Sequence, residues 1–307
     1  MATQLEIANT YDWMTDFFLT SLGKYSDITN AFFNGNYLLS LDEAQSNKHH
    51  YIMNSLNLRP NDKVLDIGCG WGPFLYFLQN NGMVGDGLTL SPAQHNTCRK
   101  AGLEVHLKRW QDFTPKTKYD GIVAIGSPEH FCSIEEYEAG LQLKIFRAFF
   151  KYCHENSKEG SSLFLQSMLF PDHNVPNSKE IPKGEYAPKD SVLRHFFLLS
   201  YFYPGSWLPT LDLLKKAAEG YYFLESHNDG TLDYIETMKR WREMLLLFQP
   251  LQISSWKKVG FLLKLFPKFL QDRAFRLQIF AFWEKSNRRC FELNAMIHTR
   301  SVFKRIT

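Results

Sequence analysis

Three glycines, one acid and a Glu-His pair define the chemistry open to this chain. Gly68, Gly70 and Gly72 fall on alternate residues of "KVLDIGCGWGPF", directly after an apolar run that ends in Asp66. Glycine weakens regular structure, so three of them where a strand hands over to a helix need a reason. The reason they suggest is a backbone that turns sharply and lets a nucleotide-like ligand approach without a Cβ in the way. Farther along, "GSPEHF" places Glu129 and His130 at the end of another apolar run. At the carboxyl end of a strand such a pair faces whatever the glycine loop holds. A carboxylate there takes up a proton or stabilises a developing cation, and partial burial raises its pKa towards that use. On an ordinary solvated loop it does neither.

The glycine spacing separates two ligands. The dinucleotide loop is G-x-G-x-x-G, whereas here the third glycine follows the second by two positions. "VLDIGCGWG" is the S-adenosylmethionine (SAM) form of the loop, so methyl transfer is expected and hydride transfer is not.

Elements of matching rhythm surround the loop. "VLDIG" leads to a helix near 73–80, and "MVGDGLTL" precedes "SPAQHNTCRKAG". In that second helix Ser91 is placed to cap, Pro92 to occupy the first turn and Gly102 to stop. "EVHLKRW", "YDGIVAIGS" and "SSLFLQSML" read as further strands, with a helix over roughly Ile134 to His154. The alternation implies a parallel sheet covered on both faces. Residues 1–60 read as helical through Trp13, Phe17, Phe18, Phe32, Phe33, Ile52, Met53 and Leu56. Residues 171–190 carry four prolines and read as a mobile lid or a surface loop. "FYPGSWLPTLDLLKKAAEGYYFLES" reads as a strand–helix pair, "YIETMKRWREMLLLF" as a helix, and the last sixty or so residues as one long helix with a β finish, "FELNAMIHTRSVFK".

Bulk properties agree. A 307-residue chain that is 44% apolar and 15% aromatic builds a real interior. A net charge of +3 makes no demand for nucleic acid, and no N/D-P-P-Y/F motif appears. Cys69, Cys98, Cys132, Cys153 and Cys290 form no metal spacing, so no metal site is expected and reduced thiols are. No signal peptide and no apolar run of ~18 residues is present, which gives a cytoplasmic expectation.

The blocks "SLDEAQ", "LRPNDKVLDIGCGWGPF", "GDGLTLSPAQ", "SPEHF" and "YFYPGSWLPTLDLLKKAAEGYYFLES" resemble, in order, the cyclopropane fatty acid synthase family of SAM-dependent methyltransferases, mycolic acid cyclopropane synthases included. The resemblance implies a class I methyltransferase α/β fold: a seven-stranded, mostly parallel Rossmann-like sheet with helices on both faces. Residues 1–60 would form an N-terminal helical cap over the cofactor site and 61–307 the methyltransferase domain, with an inserted lid over about 170–205. The resemblance puts SAM against Gly68, Gly70 and Gly72, with Asp66 at the strand end. Thr89, Leu90, Ser91 and Gln94 would meet the adenosine, Trp110 and Gln111 the adenine, and Tyr37 would stand for the family's early Tyr-Ser. No acid closes the second strand, so Thr89 and Gln94 must hold the ribose.

For catalysis the resemblance nominates Glu129, with His130 beside it, and Tyr234 from "SHNDGTLDYIETMKRW". In cyclopropane synthases the Glu helps hold a bicarbonate that takes a proton as the ring closes. The other cage members are a His on the fifth strand, a Tyr before the late helix and an N-terminal Cys. Here Gln166 stands where the His would be, and "YLLS" replaces "YSC". Glutamine cannot become cationic near neutral pH and holds an anion less well. Two of four positions are changed, which disfavours bicarbonate and favours simple methyl transfer.

The aromatic content suggests an apolar pocket for a lipid, isoprenoid or secondary metabolite. Residues 251–307 hold twelve Lys/Arg against three acids, and the stretch over about 254–290 reads as a basic, aromatic helix. It suits an anionic lipid surface, an anionic substrate or plain solvent. The rival readings are a working cyclopropane synthase and an inactive SAM-binding partner subunit.

Overall fold

The computed structural model describes residues 27–246 and 253–306. In chain order these form α1 (Leu41–Ser55), β1 (Lys63–Ile67), α2 (Pro73–Asn80), β2 (Val84–Thr89), α3 (Pro92–Lys100), β3 (Glu104–Leu107), β4 (Tyr119–Ile125), α4 (Ile134–Glu138), α5 (Gln142–Asn156) and β5 (Ser157–Leu169). There follow α6 (Val192–Phe202), α7 (Leu211–Ala218), β6 (Tyr222–Asp229), α8 (Thr231–Leu246), α9 (Ile253–Gln271), α10 (Arg273–Trp283), α11 (Ser286–Glu292) and β7 (Ile297–Arg305).

The strands join into one sheet in the order β3-β2-β1-β4-β5-β7-β6. β1 to β5 run parallel, and β7 is antiparallel to both neighbours. Side-chain alternation along the central strands builds two cores. Leu65, Ile122 and Leu163 face α5 and α7, whereas Val64, Val123 and Phe164 face α1 and α2. A third apolar cluster, centred on Phe196, Trp207, Leu277 and Phe291, joins α6, α10 and α11 at the carboxyl edge of the sheet. That cluster makes the outer wall of the site.

Local signals place the helices that flank the glycines. Ser40 and Glu43 close a capping box on α1. Ser91 accepts from the Gln94 amide at the start of α3, Pro92 sits in its first turn, and Gly102 follows it at φ +77°.

Several expected elements differ. Phe32 and Phe33 lie in irregular chain ahead of α1 rather than in a helix; Trp13, Phe17 and Phe18 fall outside the described residues. The helix expected from Ile134 to His154 is two, broken where Gly140 takes φ +72°. No strand precedes α7; Pro204, Gly205 and Pro209 keep that stretch irregular, and β6 follows the helix instead. The final long helix is three, interrupted by Asp272, which caps α10, and by Lys285 at φ +58°. Within the proline-rich segment, Ser178–Tyr186 forms a 3-10 helix against α6 that buries Ile181 and Gly184. Among the described residues no helix is long and apolar enough to cross a membrane.

Candidate active site

A cavity of about 290 Å³ opens at the carboxyl ends of β1, β2 and β4, where ligands bind in open α/β sheets. One lobe is floored by the glycine loop. Gly68 takes φ +88°, and a Cβ there would sit 2.4 Å from that of Ser127, so the β1 and β4 loops meet at van der Waals contact only because it is glycine. Gly70, at φ +56°, has nothing within 4 Å of a virtual Cβ and opens directly on the cavity. Gly72 does a different job, which corrects the expectation. Its Cβ would lie 2.5 Å from Leu103 Cδ1, it does not line the cavity, and its φ of +81° starts α2.

A side chamber holds Asp66 with Asp27, Gly68 and Gly70. Asp66 is fully buried, its Oδ1 has no hydrogen-bond partner among the described residues, and burial together with the nearby Asp27 charge raises its pKa to about 7. An orphaned carboxylate oxygen beside open glycines fits the ammonium end of SAM. On the second strand, Thr89 Oγ1 donates to Gln94 Oε1 at 2.7 Å. That bond fixes the carboxamide and leaves Gln94 Nε2 as the donor available to a diol. Thr89, Leu90, Gln94, Trp110 and Gln111 all line this lobe. Ser91 does not: its hydroxyl is spent capping α3. Trp110 is both wall and core, with Phe149 5.6 Å away edge-on.

The catalytic end follows β4. A 3-10 turn at Pro128–His130 turns Glu129 inward, where it is 2% exposed. Its Oε1 accepts from the Met168 amide at 2.8 Å, and its Oε2 has no partner among the described residues. Burial outweighs the hydrogen bonds from Met168 and Ser167 and pushes its pKa up to about 7. Among the described residues it is the only acid lining the cavity. His130 Nδ1 contacts Ser206 Oγ at 2.7 Å, and burial pushes its pKa down to about 4, so the ring is neutral at pH 7. Tyr234, from α8, lines the cavity with its ring 4.8 Å from that of His298.

Two expected site residues lie elsewhere. Tyr37 is outside the cavity, in a turn where its carbonyl accepts from Arg240. In its place Ile28, Thr29 and Asn30 reach the site. The sequence carries a Tyr25-Ser26 pair immediately before the buried Asp27. Those two residues fall outside the described ones. Gln166 is buried behind the wall, its Nε2 donating to the Asn30 carbonyl at 3.1 Å, and does not line the cavity.

The imidazole that the sequence lacks on the fifth strand arrives from another. His298 on β7 pairs with Met168 on β5, the residue whose amide holds Glu129, and it lines the cavity. Asn30 Nδ2 bonds both the Gly230 carbonyl and His298 Nδ1, each at 2.9 Å. The carbonyl fixes the amide orientation, so His298 Nδ1 accepts and the ring proton sits on Nε2. Burial and the nearby Arg300 and Lys48 charges hold its pKa well below the usual histidine range.

The outer lobe is apolar. Phe131, Leu199, Phe202, Met238, Leu245 and Ala281 wall it. Leu199, Phe202 and Tyr203 are the parts of the expected lid that touch the cavity.

The model of the mycolic acid cyclopropane synthetase family matches residues 2–275. Cyclopropane mycolic acid synthase 2 of Mycobacterium leprae is 28% identical over 254 residues, 78% of this chain and 79% of that protein. The fold is shared with mycolic acid cyclopropane synthase CmaA1, solved with SAH and CTAB, at a TM-score of 0.75 and 21% identity over 98% of each chain. Coclaurine N-methyltransferase, solved with N-methylheliamine and SAH, gives a TM-score of 0.72 at 14% identity over 99% of this chain and 82% of that one.

Proposed function

The chain belongs to the mycolic acid cyclopropane synthetase family, and from that premise we propose that it transfers a methyl group from SAM to a carbon or nitrogen of an apolar small molecule. One observation carries the reading: Glu129, buried and with Oε2 unpartnered among the described residues, lines the same cavity as the glycine loop and the apolar wall. SAM, when bound, supplies an activated methyl carbon. The chain's part is to align the acceptor, exclude water and receive a proton. Methyl addition to one carbon of an alkene leaves the other carbon a cation, which Glu129 stabilises and relieves of a proton from an adjoining carbon. An amine acceptor gives its N–H proton to the same oxygen. His130, His298 and Tyr234 shape the pocket around that transfer.

His298 supports ring closure as a second reading, because it returns an imidazole to the Glu129–Tyr234 neighbourhood and gives bicarbonate a donor. Mass spectrometry with methyl-deuterated SAM and a lipid and metabolite extract separates the two. Product with all three label hydrogens supports methyl transfer; product with two means that the new carbon lost a proton, and ring closure replaces it.

We also infer contact with anionic lipid surfaces through α9. Trp256, Leu263, Phe266 and Leu270 are exposed at helical spacing, interleaved with Lys257, Lys264 and Lys268. Co-sedimentation with phosphatidylglycerol vesicles but not phosphatidylcholine vesicles is expected; equal or absent sedimentation removes this part.

A further inference from the structure

Tyr234, Met238, Trp241, Arg242 and Leu245 line the cavity from one face of α8. At 1.5 Å per residue, Arg242 lies ~12 Å along the axis from Tyr234. The helix therefore runs from the catalytic end to the mouth, where Lys285 is exposed and Phe282 forms the rim.

The charge at that mouth is not balanced. Arg194 pairs with Glu284 at 2.9 Å, and Arg288 and Arg289 both pair with Glu292, at 2.9 and 2.8 Å. Arg242 has no carboxylate among the described residues. It stacks over Phe282 and Trp283, at 5.2 and 5.6 Å, and gives one bond, at 3.2 Å, to the Phe282 carbonyl. Most of its five N–H donors remain. Burial and the Arg288 charge both disfavour its cationic form, a cost that a bound anion would offset. Lys285 likewise has no ion pair among the described residues, and holds φ +58°, a conformation that suits glycine or asparagine better. Trp241 Nε1, next in the chain to Arg242, is a buried donor without a partner among the described residues.

We propose that Arg242, Lys285 and Trp241 form a receptor for the anionic headgroup, carboxylate or phosphate, of a single-chain amphiphile. The inference rests on the methyl-transfer reading and narrows its substrate. An extended chain advances ~3.5 Å per three bonds, so the atom at Tyr234 and Glu129 is about ten bonds from the headgroup. A neutral molecule, or a cation, leaves this end of the cavity unmatched.

Calorimetry on the full chain with SAH present tests the assignment, using dodecanoate, dodecyl phosphate, dodecanol and dodecyltrimethylammonium below their micelle concentrations. Charge-assisted hydrogen bonds are expected to make an anion bind ~10-fold or more tightly than the alcohol or the ammonium. Whichever anion is preferred identifies carboxylate or phosphate as the headgroup. Arg242→Gln with Lys285→Gln should bring anion and alcohol within about two-fold, with SAH affinity unchanged, and Arg242→Lys should keep part of the preference. Equal affinity for alcohol and anions in the wild type, or a preference that survives the double substitution, overturns the receptor. Failure of SAH to bind would instead sink the methyl-transfer reading, whatever the headgroup result.

Discussion

Asp66 and Glu129 stand at the carboxyl ends of the neighbouring strands β1 and β4, both buried, each with one oxygen unpartnered and each with a pKa raised to about 7. In the proposed reaction Asp66 would meet the cofactor and Glu129 the acceptor, so catalysis and cofactor capture would share a titration window in which both ionised forms are the working ones.

For that reason kcat/KM should rise with pH through about 7 and level off above it. Glu129→Gln should lower turnover by ~10²–10⁴ and abolish the rise in kcat, while SAH affinity stays within a few-fold. Turnover equal to wild type would take Glu129 out of the mechanism.

Stability should move the other way. Burial raises the Glu129 pKa in the folded state from 4.5 to about 7, so the folded protein binds the extra proton between those values. Stability is greatest below the unfolded value and falls as pH climbs towards 7, by at most about 3 kcal/mol from this group. In ligand-free protein, Tm should drop over that range, and less steeply in Glu129→Gln. A flat wild-type profile would contradict the burial argument.

The glycines should divide into two phenotypes. Gly70→Val places a side chain where only cavity lies, so calorimetric SAM binding should be lost while the fold persists with ~1–3 kcal/mol of backbone strain. Gly72→Ala drives a Cβ into Leu103 and should lower Tm more than it lowers SAM affinity, which would be read by differential scanning fluorimetry with and without SAH. Unchanged SAM binding in Gly70→Val would refute the placement of the loop.

His298→Gln should lower turnover more than ~10-fold with Tm nearly unchanged, because Asn30 retains a polar neighbour. Gln166→His should not improve methyl transfer. The position is behind the wall, and a ring there strains the bond to the Asn30 carbonyl. A gain in turnover with added bicarbonate would overturn this and revive ring closure.

Lys48 is fully buried, paired with Asp27, and donates to Thr29 Oγ1 at 2.7 Å. Lys48→Met leaves Asp27 with His49 and Thr29 but without its lysine countercharge and should cost roughly 3–5 kcal/mol by denaturant titration. It should also weaken SAM binding, since Thr29 lines the cavity. Asp27→Asn added to Lys48→Met should restore much of the stability; no recovery would mean that the pair acts through packing alone.

The parallel half of the fold was legible because βαβ units are local: Ser91, Pro92, Gly102 and the apolar runs each mark an element within a few residues of itself. Site membership was less so. A motif names residues but not the direction of their Cβ vectors, so in sequence Gly72 and Ser91 look no different from Gly70 and Gln94. Nothing local in the sequence marks Tyr37 as a turn residue outside the cavity. His298 carries no local signal, since "NAMIHTR" is an ordinary edge of a strand, and only the antiparallel register with β5 brings it beside Glu129. The α8 stripe of Tyr234, Met238 and Trp241 has the spacing of any core helix, and only the cavity distinguishes it.

The bond between Asn30 and His298 joins residues 268 positions apart. Contacts of that span make a chain slow to fold. The same span ties the two ends of the chain to one cavity: β7 lies between β5 and β6, so the His298 side of the site exists only when the last strand is in place.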